Sequence, residues 1–99
     1  IRGKINNSQK IGFTTSISEN TFVNIGIERD DTNRVVAYLN GSAQTQISAT
    51  NYVAGALSGT LDIDSIGGNT DGKIKEIVIV NTSLSASDRT KLNNYLTAI

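Results

Sequence analysis

The sequence predicts an all-β protein, an antiparallel β-sandwich closed by one short C-terminal helix. Three observations carry this expectation. Ile, Val and Thr, which suit a pleated half-buried surface, dominate together with the turn formers Asn, Gly and Ser. Two consecutive hairpin patterns occupy the middle of the chain, and the last fifteen residues switch to helical periodicity.

The N-terminal stretch offers two weaker strands, around Ile5 and over residues 11–15. Residues 21–29 (TFVNIGIER) then alternate cleanly. Val23, Ile25 and Ile27 fall on one face and Asn24, Gly26 and Glu28 on the other, the signature of a strand burying its apolar side. Asp30, Asp31, Thr32 and Asn33 form a polar turn. Residues 34–39 (RVVAYL) follow as a strand with apolar residues on both faces. Asn40-Gly41 suits a two-residue type I′ turn, whose central positions both need positive φ. Residues 42–47 are the expected returning strand.

Residues 51–60 are small and polar and read as a loop, with a brief strand around Tyr52 and Val53. Residues 61–66 are strand-like, and residues 67–72 are rich in turn formers. Residues 73–80 (KIKEIVIV) are the most apolar strand candidate and the expected centre of the core. Their alternation slips near Glu76, which predicts either a β-bulge there or burial of both faces over residues 77–80. Ser85 then sits three places before Asp88, close to a capping box, with Leu84 placed as a hydrophobic staple. Leu92, Tyr95, Leu96 and Ile99 recur at helical spacing, which leaves Arg89, Lys91, Asn93 and Asn94 pointing outward.

Several function classes are excluded by composition. Nine Lys/Arg balance nine Asp/Glu, so there is no basic footprint for nucleic acid. No apolar run approaches the roughly 20 residues that cross a bilayer, so no membrane insertion is expected. Without Cys or His there is no thiolate metal site, no disulfide framework and no Ser-His-Asp or Cys-His nucleophile.

Taken in order, Tyr38-Leu39-Asn40-Gly41, Ile66-Gly67-Gly68, the run 71–79 (DGKIKEIVI) and Leu84-Ser85 opening a helix resemble the C-terminal half of laminin G-like domains of the concanavalin A-like superfamily. Residues 92–96 (LNNYL) resemble the ending of its bacterial and phage structural members. The resemblance covers residues 21–96. It implies a jelly-roll-like, concanavalin A-like sandwich, as a single domain over residues 1–99 or as the C-terminal part of a larger one. It also implies a non-catalytic structural or assembly module of a phage or bacterial surface particle, at the virion or cell surface. The partners would be protein neighbours in a homo- or hetero-oligomeric assembly. The alternative it implies is a lectin-like module for cell-surface glycans.

Candidate sites are few. Related glucanases work with paired carboxylates on one strand; here Glu28 and Asp30 share a face, with Asp31 beside them, but the next acid of the pattern is replaced by Thr32. These read as a solvated turn, and no enzyme is expected. Asp62, Asp64, Asn69 and Asp71 offer oxygen ligands of the kind Ca²⁺ takes, without the spacing of a helix–loop–helix calcium loop. A glycan site would use Asn51, Tyr52 and Asn69, with Tyr52 as the exposed ring. Three N-x-Ser/Thr sequons begin at Asn6, Asn40 and Asn81, and Asn40 is already explained by its turn.

Overall fold

The computed structural model describes residues 2–4, 10–13, 16–32, 34–46 and 71–99. Its elements run β1 (Arg2–Lys4), β2 (Lys10–Gly12), β3 (Ile25–Arg29), β4 (Val35–Leu39), β5 (Ser42–Ala43) and α1 (Ala86–Ala98). β1 and β2 form an antiparallel pair, with Arg2 opposite Gly12 and Lys4 opposite Lys10. β3, β4 and β5 form a three-stranded antiparallel sheet with β4 in the middle. An antiparallel bridge between Phe13 and Gln46 ties the chain after β2 to the chain after β5.

Both hairpins of the larger sheet close through local chemistry. In the first, Ile25 lies opposite Leu39 and Arg29 opposite Val35. Asp30 shapes its loop: the carboxylate Oδ1 accepts from the Thr32 amide at 2.9 Å, the Thr32 hydroxyl at 2.7 Å and the Arg34 amide at 3.0 Å. In the second hairpin Leu39 lies opposite Ser42. Asn40 at φ 49° and Gly41 at φ 82° supply the two positive angles that a type I′ turn requires. The returning strand is shorter than expected, spanning Ser42–Ala43 before the bridge at Gln46.

α1 also begins as its residues dictate. Ser85 is the N-cap, its hydroxyl oxygen accepting from the Asp88 amide at 3.1 Å and donating to the Asp88 carboxylate at 2.7 Å. The staple does not form, because the fourth helical residue is Arg89, which instead donates to the Leu84 carbonyl at 3.0 Å.

The sandwich expectation is overturned. Two facing sheets need interdigitating apolar side chains from both inner faces. Among the described residues the buried apolar set is Phe13, Val35 and Ala37, enough for one small sheet and not for a second layer. The physical reason lies largely in residues 73–80. Expected as the central strand, they adopt no strand, and every one is exposed. The fold is a three-stranded antiparallel sheet with one C-terminal helix. The strand expected over residues 61–66 lies outside the described residues.

The two faces of β3 are also reversed. Ile25 and Ile27 are 49 % and 56 % exposed, while Asn24, Gly26 and Glu28 are half-buried. The cover over the polar face is α1. Its residues Arg89 and Asn93, expected to point outward, instead meet the sheet. The helix docks through polar side chains, and none of its residues is fully buried.

Candidate functional site

Because successive β3 side chains alternate between faces, Asn24, Gly26 and Glu28 stand in one row. Because helix residues four apart lie on one face, Arg89, Asn93 and Thr97 also stand in one row. The two rows meet antiparallel. At one end Glu28 Oε2 accepts from Arg89 Nε at 3.0 Å and Nη2 at 2.7 Å. The guanidinium carbon lies 4.4 Å from the centre of the Tyr38 ring, and Tyr38 is the cross-strand partner of Gly26. Gly26 lies against Tyr38, and a β-carbon there would make an ordinary contact at 3.5 Å from Tyr38 Cβ. A planar guanidinium can hold a carboxylate on its edge and stack on an aromatic face at once, which an ammonium cannot.

At the other end Asn24 Nδ2 donates to the Thr97 hydroxyl at 2.8 Å, Asn93 Oδ1 at 3.1 Å and the Asn93 carbonyl at 3.3 Å. The Asn24 backbone is pinned as well. Its amide donates to Asn40 Oδ1 at 3.0 Å, and its carbonyl accepts from the Asn40 amide at 2.9 Å. The Asn40-Gly41 turn therefore serves two ends: it closes the β4–β5 hairpin and it braces the residue that grips the helix.

A second set of contacts ties residues 71–80 to the helix C-terminus. The Tyr95 hydroxyl donates to Glu76 at 2.9 Å, which pushes its proton affinity above that of an ordinary phenol. Lys75 Nζ donates to the Ile99 carbonyl at 3.0 Å and lies 4.4 Å from the centre of the Phe22 ring. All of these groups are exposed.

The carboxylates weighed for catalysis have structural partners. Glu28 is ion-paired with Arg89, with 14 % of its side chain exposed. Asp30 is taken up by its own turn; the Thr32 hydroxyl first, then the Arg34 amide, hold its carboxyl below the usual range. Asp31 is exposed at the turn. Of the calcium candidates, Asp71 is exposed, and Asp62, Asp64 and Asn69 lie outside the described residues. Among the described residues no three Asp or Glu gather as a metal would require. Asn51, Tyr52 and Asn69 of the glycan reading also lie outside the described residues. Among the described residues, no helix is long and apolar enough to cross a membrane.

What the sequence reading missed is an exposed apolar surface. Ile74, Ile77, Val78, Ile79 and Val80 are between 43 % and 67 % exposed, and Ile25 and Ile27 add a second patch. Among the described residues β3 is the outer strand of its sheet, and the second patch lies on it. The slip in alternation after Glu76 was the signal. An apolar run that matches neither face of a strand is one that its own sheet has not absorbed. No family model, curated protein or solved structure matches the chain.

Proposed function

We propose that this chain is a non-catalytic assembly module whose exposed apolar side chains are covered by protein neighbours. The observation that carries the reading is the run of residues 77–80, four consecutive exposed apolar side chains with Ile74 just ahead of them. Single exposed apolar residues are ordinary on a protein surface, but a contiguous apolar run outside any strand or helix is not. The carboxylates nearest to a catalytic pattern are committed to an ion pair and a turn, which supports a structural role. The resemblance to phage and bacterial surface proteins suggests the setting, a virion or cell-surface particle.

Sedimentation velocity from micromolar to millimolar protein tests the reading. Reversible association that strengthens in ammonium sulfate is expected, because excluded salts favour apolar burial. A monomer at every concentration, sulfate included, overturns it.

A further inference from the structure

We infer that Asn40 is a site of spontaneous modification, coupled to the docking of α1, and that its isoaspartyl product frees the helix from the sheet. Asn40-Gly41 is the one Asn-Gly pair in the sequence, and both residues are exposed. Glycine has no β-carbon to shield its amide nitrogen, so that nitrogen can attack Cγ of the preceding asparagine. The Gly41 nitrogen gives its proton to water and bonds to Asn40 Cγ, and Nδ2 leaves as ammonia, closing a cyclic imide. Water then opens the ring. Cleavage at Cγ gives aspartate on an unchanged main chain. Cleavage at the Asn40 main-chain carbonyl gives isoaspartate, with the main chain rerouted through Cβ and Cγ. The net exchange is one amide for one carboxylate, with water consumed and ammonia released.

The pair stands at the hold on α1. Asn40 Oδ1 accepts from the Asn24 amide at 3.0 Å, and the Asn40 amide donates to the Asn24 carbonyl at 2.9 Å. The side chain of the same Asn24 donates to Asn93 and Thr97 on the helix. Gly41 lies beside α1 as well, since a β-carbon on it would stand 3.1 Å from the Asn93 side chain. In a type I′ turn the first central residue has ψ of about +30°, which turns its β-carbon away from the following nitrogen. The imide needs the two eclipsed. Ring closure therefore waits for the turn to open, and the bonds to Asn24 hold it shut. The two products then differ. Aspartate keeps the two-residue turn, which Asp-Gly also suits, and keeps an acceptor for the Asn24 amide. Isoaspartate adds a methylene to the main chain, which removes the brace on Asn24 and displaces Gly41 against Asn93.

The test is incubation of the purified chain in mildly alkaline buffer, with ion exchange to separate the products. Fragmentation of the tryptic peptide over residues 35–73 assigns the mass gain to Asn40; Asp71-Gly72 in the same peptide can form the ring without a change of mass. Both products carry the same new charge, so a difference between them reports the added methylene. The isoaspartyl fraction should lose amide protection in α1 by roughly tenfold or more, while the aspartyl fraction and Asn40→Asp keep it. Asn24→Ala removes the side-chain bonds to α1 and leaves the amide that binds Asn40 in place. It should speed modification roughly fivefold, the effect of one lost hydrogen bond on an opening equilibrium. Asp30→Asn loosens the other hairpin loop and should leave the rate unchanged. An isoaspartyl fraction with α1 still protected overturns the proposal, as does an Asn40 that stays intact while other asparagines react. Equal rates in Asn24→Ala and wild type overturn it too. Acceleration by Asp30→Asn equal to that by Asn24→Ala also sinks it, since the rate would then follow general unfolding and not the hold on α1.

Discussion

β4 and residues 73–80 are the two most apolar stretches described in this molecule, and only β4 is a strand. β4 is flanked by loops that close on themselves: Asp30 holds one through three hydrogen bonds, and Asn40-Gly41 makes the other with two positive φ angles. Each partner strand is delivered within a few residues, so little loop entropy opposes pairing. The result is Ala37 with no exposed surface and Val35 at 8 %. Residues 73–80 also carry five apolar side chains, and among the described residues no strand pairs with them. They remain held to α1 by Lys75 and Glu76 while their apolar side chains face solvent. Among the described residues, the apolar run with a self-closing turn at each end is the one that is a strand.

Placing a charge in each stretch gives the sharpest break in that comparison. Ala37→Asp puts a carboxylate at a fully buried position, where no surrounding space exists for its hydration. A loss of about 4 kcal/mol or more is expected, enough to unfold a small domain. Ile77→Asp, at a 51 % exposed position, should change monomer stability by no more than about 0.5 kcal/mol. Urea unfolding of both variants at low protein concentration makes the measurement. Equal losses would show that residues 73–80 belong to the folded core after all.

Two further changes probe how closure is achieved. Gly41→Ala forces a side chain onto a residue at φ 82°, and the new β-carbon would stand 3.1 Å from the Asn93 side chain. The left-handed strain alone is worth about 1–2 kcal/mol, and the Asn93 side chain on the helix must also shift. Loss should therefore appear in the amide protection of both β5 and α1. Arg89→Ala removes both N–H bonds to Glu28 and the stack on Tyr38, and about 1–2 kcal/mol is expected for this partly exposed pair. Arg89→Lys should recover part of it, since an ammonium keeps the charge without the planar fork. Full recovery with lysine would mean that charge alone holds the helix to the sheet.

The legible parts of this molecule were those written locally. The strand within residues 21–29, the Asn40-Gly41 turn and the Ser85 cap with Asp88 each depend on neighbours a few positions away; the turn and the cap appear, and the strand appears over Ile25–Arg29. What failed needed knowledge of distant partners. The alternation of β3 identified its two faces but not which would be covered, because the cover is α1, some sixty positions later. An apolar face was expected to win it. Instead Asn24 and Glu28 matched the four-residue spacing of Arg89, Asn93 and Thr97, a pattern visible in the helix but overshadowed by Leu92 and Leu96. The sandwich failed for the same reason: residues 73–80 have the composition of a strand, but composition does not supply a partner. Of the three carboxylates expected in a solvated turn, Asp30 is bonded within four positions of itself, whereas Glu28 lies in β3, 14 % exposed and paired with Arg89 from the distant helix.

The smallest effects, those of pH, separate the self-closing hairpin from the tethered segment. The Asp30 carboxyl is held below its ordinary value of 3.8, chiefly by the Thr32 hydroxyl. A carboxyl depressed in the folded state adds stability above its ordinary value, and that stability is lost as pH falls through the lower folded value. Asp30→Asn should therefore be less stable than wild type near neutrality, with the difference shrinking on acidification. Asp88, depressed chiefly by the Ser85 hydroxyl, behaves the same way at the start of α1. Tyr95 runs opposite: its hydroxyl is raised above 10.0, chiefly by donation to Glu76. Its contribution is complete below that value and disappears as pH rises through the raised one, so Tyr95→Phe should differ from wild type at neutrality and converge with it in alkali. Asp88 and Tyr95 are exposed and Asp30 is only half-buried, so solvent screens each effect and amide exchange is a better readout than global unfolding. Acid should loosen β3 and β4 beside Asp30, and alkali should loosen the hold of α1 on residues 71–80. If alkali instead loosens the hairpin, the tethered segment supports the sheet more than its exposure implies, and the contrast between the two stretches collapses.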